Sequence, residues 1–140
     1  MGHDLQVMES QAKSATTMGR IASLGVGEVG RRYLAALRAG DSMDTWWIVE
    51  AVWFGHDESG CALPTDLRWQ LVMAALNACP EDDGDLWLLG DGPFDQLAEN
   101  LSIVERFYAE RERNPKLRRL FTAMRRELPT EGSTHGWWFH

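Results

Sequence analysis

Apolar residues recur at intervals of three and four along most of this chain, and nowhere do they alternate with polar ones over a strand's length. That periodicity predicts helices. Val29, Tyr33, Ala36 and Leu37 mark one stripe over residues 28 to 39, with Gly40 as its stop. Asp44 is placed to cap a second helix over residues 45 to 54. There Trp46, Trp47, Ile48, Val49, Ala51, Val52, Trp53 and Phe54 are apolar on nearly every side, and such a helix belongs in the middle of a small domain. The loop Gly55-His56-Asp57-Glu58-Ser59-Gly60 leads to a third helix, capped by Thr65 behind Pro64, which runs through Leu67, Leu71, Ala74, Ala75 and Ala78 and ends before Pro80.

After Glu81-Asp82-Asp83-Gly84-Asp85 comes a short apolar turn, Leu86-Trp87-Leu88-Leu89. Pro93 then stands where a first helical residue would, ahead of Phe94, Leu97 and Leu101. Ser102 with Glu105 has the pattern of a capping box for a helix to about residue 113, with Ile103, Val104, Phe107 and Tyr108 inward. Asn114-Pro115 restarts the chain, and Leu117, Leu120, Phe121, Met124 and Leu128 give the cleanest helical repeat. The expected fold is all-α: about six helices in stacked antiparallel pairs, as a HEAT-like array or an irregular bundle, with no significant sheet. Its expected divisions are a mobile N-terminal arm over residues 1–25, a single helical domain over residues 26–128, and an aromatic tail over residues 129–140 docked on the domain or on a partner.

A length of 140 residues suits one domain, and 44% apolar with 25% charged residues excludes wholesale disorder. Cys61 and Cys79, with no secretory signal ahead of them, read as reduced thiols, and no apolar run is long enough to cross a bilayer. The expectation is a cytoplasmic protein without a membrane partner. Charge changes the picture more. Residues 40 to 100 hold thirteen carboxylates against one base, Arg68, for a net −12, while the segments on either side carry +2 and +3. Such a layout attracts a basic partner and repels nucleic acid.

Local patterns add little chemistry. Gly25-Val26-Gly27-Glu28-Val29-Gly30 spells the dinucleotide fingerprint, but the strand that should precede it and the acidic residue that should follow a second strand are both missing, so it reads as a hinge into a helix. His3, His56, His135 and His140 fall in no spacing that declares a metal site. Glu50 is the one charge inside the tryptophan-rich helix, and if buried it needs a partner such as Arg32 or Arg106. The arginines and Lys116 of residues 106 to 126 are interleaved with Glu105, Glu110 and Glu112, which is the mixed charge of solvated helix faces or of a surface turned toward the acidic middle. Trp137, Trp138 and Phe139 must dock on something.

The tryptophan-rich helix running into Glu50-Ala51-Val52, the ending Ala78-Cys79-Pro80, the run Gly90-Asp91-Gly92-Pro93-Phe94-Asp95-Gln96-Leu97 and the run Asn114-Pro115-Lys116-Leu117-Arg118-Arg119-Leu120 together resemble a family of short bacterial domains of unknown function, over about residues 30 to 128. That family carries a Gly-Pro-Leu-Glu type turn and an Asp-Pro type restart, and here Phe94 and Asp95 stand where Leu and Glu are usual. The resemblance implies stacked helical hairpins of HEAT type and transfers no catalytic residue.

Six carboxylates of the acidic middle lie at or near predicted helix starts, where the helix dipole explains them. Asp57, Glu58, Glu81, Asp82 and Asp83, in two loops, are the least explained by folding; with Asp85, Trp137 and Trp138 they are the candidate partner-binding residues. The expected function is a non-catalytic acidic binding protein that neutralises a basic protein partner, most concretely a bacterial immunity protein against a cognate toxin. A phage-type inhibitor of a host defence complex, acting as a nucleic-acid mimic, and a scaffold subunit are the alternatives. The protein is expected to be a monomer or homodimer, with no catalytic, metal-binding or cofactor-binding residue assigned.

Overall fold

A computed structural model describes residues 16–40 and 44–127. The first fifteen residues, Asp41, Leu128 and the tail with Trp137 and Trp138 lie outside the described residues. The fold is all-α, as the periodicity predicts. Among the described residues there is no strand, and one isolated bridge, His56 with Ala62, closes the loop between two helices.

Helix α1 (Thr17–Leu24) lies within the segment expected as an arm, and it buries Thr17 and Ile21. It begins where Thr16 caps it, the hydroxyl accepting from Gly19 N at 3.0 Å, and it stops at Gly25, whose φ of +87° only glycine adopts freely. Helix α2 (Val26–Ala39) follows at once. Helix α3 (Trp46–Val49) continues into a widened π-turn (Glu50–Phe54), in which Gly55 N–H reaches back five residues to the Glu50 carbonyl. Helix α4 (Thr65–Ala78) comes next. Helix α5 (Asp83–Leu89) runs on through a second π-turn (Gly90–Phe94) and a last α-turn (Asp95–Leu97). Helices α6 (Leu101–Arg111) and α7 (Pro115–Glu127) complete the bundle.

The middle of the domain belongs to α4. It packs against α2, the first π-turn, α5 and α7, and it buries Trp69, Leu71, Val72, Ala75 and Leu76, too many directions for one apolar stripe. The tryptophan-rich helix, expected there, lies to one side instead. Ile48, Val49, Ala51 and Val52 are buried, but Trp46, at the first position of the helix, and Phe54 stay exposed, and the π-turn takes Phe54 out of the register an unbroken α-helix would give it. Helix α2 packs on α4 at backbone level at Gly30. A Cβ there would lie 2.5 Å from Ala74 Cβ and 2.6 Å from the Ala74–Ala75 backbone. The dinucleotide-like motif is therefore used by the fold: Gly25 turns one helix into the next, and Gly30 lets two helices touch.

Several helix starts differ from expectation: Thr45 and Pro64 stand at the N-cap positions of α3 and α4 with no side-chain hydrogen bond, so neither Asp44 nor Thr65 is the cap. Pro93 does not start a helix but sits inside the second π-turn, whose wider ring takes the pyrrolidine that an α-turn would reject. Helix α6 is capped by Asn100, whose Oδ1 accepts from Ser102 N at 3.1 Å and from Ser102 Oγ at 2.7 Å, so the Ser102–Glu105 box is not formed. Leu101, expected inward, is 80% exposed. Helix α7 buries Leu117, Leu120, Phe121 and Met124, the repeat visible in the sequence. Its strongest packing is against α5, and that of α2 is against α4, so neighbours in space skip a helix in sequence and the arrangement is an irregular bundle.

Gly30→Ala should lose about 1–3 kcal/mol in urea unfolding through overpacking against the α4 backbone, despite the gain in helix propensity. Gly27→Ala, in open space on the same helix, should gain up to about 1 kcal/mol. Equal effects at the two positions would contradict the close crossing.

Candidate interaction surfaces

The carboxylates singled out in the sequence all have work inside the fold. Asp57 closes its own loop: Oδ1 accepts from Ser59 N at 2.9 Å, Ser59 Oγ at 2.7 Å and Cys61 N at 2.9 Å. The Ser59 hydroxyl first, then the Cys61 amide, hold its pKa below the ordinary value. Glu58 reaches across to α1, where Oε2 accepts from Thr17 N at 2.9 Å, one of the free donors of that helix's first turn. The Thr17 amide is the leading reason its pKa is lowered.

The second group gathers at the start of α5. Asp82 caps the helix, accepting from Asp85 N at 3.1 Å. Glu81 and Asp83 share Arg119 of α7, at 3.2 and 3.7 Å. Asp85 pairs with Arg38 of α2. Nearby Lys116 donates to the Asn77 carbonyl at 2.9 Å, closing the end of α4. Four carboxylates thus stand in little more than one turn, and basic residues from both ends of the chain meet them. Arg106 of α6 likewise pairs with Asp66 of α4 at 3.0 Å and lies over the Trp69 ring at 4.3 Å.

Glu50 is half-buried at the start of the first π-turn, with no ion pair among the described residues. Arg32, offered as its partner, is bound to Glu28 at 2.8 Å, and Arg106 is bound to Asp66. His56 is half-buried, its Nδ1 3.4 Å from the Asp57 carbonyl. Among the described residues no group of three or more His, Cys, Asp and Glu is placed to hold a metal ion, and no helix is long and apolar enough to cross a membrane. A groove of about 540 Å³ between α1, α2 and the start of α3 has Leu24, Ala36, Trp47 and Ile48 in its walls. Its two cations are engaged, Arg20 over the Trp47 ring at 5.4 Å and Arg32 with Glu28.

Sequence reasoning passed over Arg68. It is half-buried, and its side chain lies across Gly55, so close that a Cβ at that glycine would overlap the guanidinium. Burial lowers its pKa, with the field of Glu99 opposing the shift. Gly55, with φ of +70°, holds Phe54 on one side and His56 on the other, and the three rings Trp53, Phe54 and His56 form a ladder with centroid spacings of 5.2 and 5.7 Å. Trp53 in turn lies against Gly92 of the second π-turn, where a Cβ would meet the indole at 3.2 Å. The signal in the sequence was the isolation of one arginine among thirteen carboxylates.

No family model matches this chain, and neither a curated protein nor a solved structure matches it.

Asp57 should titrate below its ordinary 3.8 by carboxyl NMR, and Ser59→Ala should move the midpoint back up toward that value. Both depressed groups stabilise the fold above their unfolded pKa values, and that contribution is lost as pH falls through the lower folded values. A midpoint for Asp57 that ignores Ser59→Ala contradicts the turn. Cys79 is buried, which pushes its pKa up to about 11, whereas Cys61 is exposed. At about pH 8 iodoacetamide should therefore modify Cys61 and spare Cys79 until the protein unfolds.

Proposed function

We propose that this protein is a non-catalytic acidic binding protein that neutralises a basic protein partner, in its most concrete form an immunity protein against a cognate toxin. The observation that carries the reading is the fixed acidic edge at the start of α5. Glu81, Asp82, Asp83 and Asp85 are held by a cap, by Arg119 and by Arg38, yet Glu81 and Asp83 keep 66% and 39% of their side chains exposed. Carboxylates already ordered lose little further freedom when a partner arrives. Opposite charge on that partner then raises the association rate and rejects wrong surfaces.

The internal pairs moderate the field, since Arg38 and Arg119 offset part of the charge that the sequence concentrates here. A guanidinium on the partner would compete with exposed Arg119 for Glu81 and Asp83 rather than meet bare carboxylates. A nucleic-acid mimic would carry its carboxylates in a regular row; here Asp57 closes a loop, Glu58 meets the first turn of α1 and the other four gather at the start of α5.

The reading requires a toxin encoded by a neighbouring gene, and the test is co-expression with it, scored by growth, and binding to the inactivated toxin in vitro. Glu81→Gln with Asp83→Asn should weaken binding by about tenfold or more, mostly through the association rate, and the loss should shrink at high salt. Thermal unfolding should change little, because exposed ion pairs contribute about 0–1 kcal/mol. Unaltered affinity in a folded double variant would remove the acidic edge from the interface.

A further inference from the structure

Arg68 is the single base among the carboxylates of residues 40 to 100, and the fold does not give it one of them. Arg31, Arg32, Arg38, Arg106, Arg113 and Arg119 each hold an acidic side chain. No described residue accepts a hydrogen bond from the guanidinium of Arg68, and Glu99 acts on it through its field alone. The side chain is nonetheless fixed, because it is half-buried and pressed on the Gly55 backbone. A guanidinium ordered and partly desolvated without an acceptor is arranged for one that comes from outside the chain.

The aromatic ladder beside it supplies the second half of a site. Phe54 is a large apolar ring 37% exposed, held between Trp53 and His56 at interplanar angles of 6° and 18°. Trp53 also lies against Gly92 of the second π-turn, where a Cβ would meet its indole at 3.2 Å. Rings held in this way bind without losing much rotamer freedom, and aromatic residues with arginine are the side chains that dominate interface energetics. Gly55 builds the juxtaposition into the backbone: its left-handed conformation turns the chain between Phe54 and His56, and its missing Cβ is the space Arg68 occupies.

We propose that Phe54, His56 and Arg68 form a docking site for an acidic side chain flanked by an apolar or aromatic residue on a polypeptide partner. The carboxylate takes two N–H donors of Arg68, and the neighbouring residue covers Phe54 and the edge of the ladder. Glu99 and Asp57 make the surroundings unfavourable for a free anion, so the apolar contact is needed to deliver the carboxylate. The site shares no residue with the acidic edge of α5, and either can fail without the other.

The test is a titration of the ¹⁵N-labelled protein with acetyl-Phe-Glu-amide, followed at the Arg68 Nε–Hε resonance and at the Gly55 and His56 amides. The expected result is a saturable shift with Kd of about 1–10 mM, and at least about tenfold weaker binding of acetyl-Phe-Gln-amide. Arg68→Gln should abolish the response, and Arg68→Lys, which keeps the stem against Gly55, should weaken it. An Arg68 resonance that does not move, an equal response to both peptides, or a response that survives Arg68→Gln would overturn the proposal. Saturation by sodium acetate at the same affinity would also overturn it, by showing an anion site with no use for Phe54.

Discussion

The near-contact of α2 and α4 at Gly30 and Ala74 fixes where the rest of the molecule can go. The two helices approach at backbone level, and Val29 and Tyr33 of α2 with Leu71 and Ala75 of α4 are buried in the core they share. With α2 on one side, α4 has its remaining faces free for the first π-turn, for α5 and for α7, and it becomes the helix around which the domain is assembled. Its two ends then define the two surfaces of interest. The first turns carry Asp66 to Arg106 and Arg68 to Gly55, while the last turn offers the Asn77 carbonyl to Lys116 beside the acidic edge.

Charge that is segregated along the chain is mixed in space. Among the described residues, each long-range ion pair joins a basic flank to the acidic middle: Arg38 with Asp85, Arg106 with Asp66, and Arg119 with Glu81 and Asp83. The exposed pairs of Arg106 and Arg119 contribute little to stability, which comes mainly from the apolar core, whereas the Asp85 carboxylate that meets Arg38 is largely covered. Their effect is on order. They hold the start of α5 and the outer faces of α6 and α7 in one arrangement, and Arg68, the base within the acidic middle, is not among their members.

The helical class and the stripe of α7 were legible because burial on one side repeats at the helical period, as Leu117, Leu120, Phe121 and Met124 show. Rejecting the glycine motif as a nucleotide site was legible from its missing strands, but the role of Gly30 was not, since its partner Ala74 is far away in sequence. Pro93 was read as a helix start because an α-turn cannot hold it, and nothing local announces a π-turn. The acidic loops look unexplained in one dimension, because a cap reveals itself only once its helix is placed and an ion pair only once both helices are. The Trp53–Phe54–His56 ladder depends on the first π-turn, which is why a helix apolar on every side has an exposed end at Phe54.

The account stands on the α2–α4 crossing, and the most direct measurement of it is the nuclear Overhauser effect between the Gly30 α-protons and the Ala74 methyl group in the folded protein. The account predicts a strong cross-peak, since a Cβ added at Gly30 would lie 2.5 Å from that methyl carbon. Its absence, with both resonances assigned and sharp, would mean that the two helices do not meet there and that the surfaces at the ends of α4 are not arranged as described.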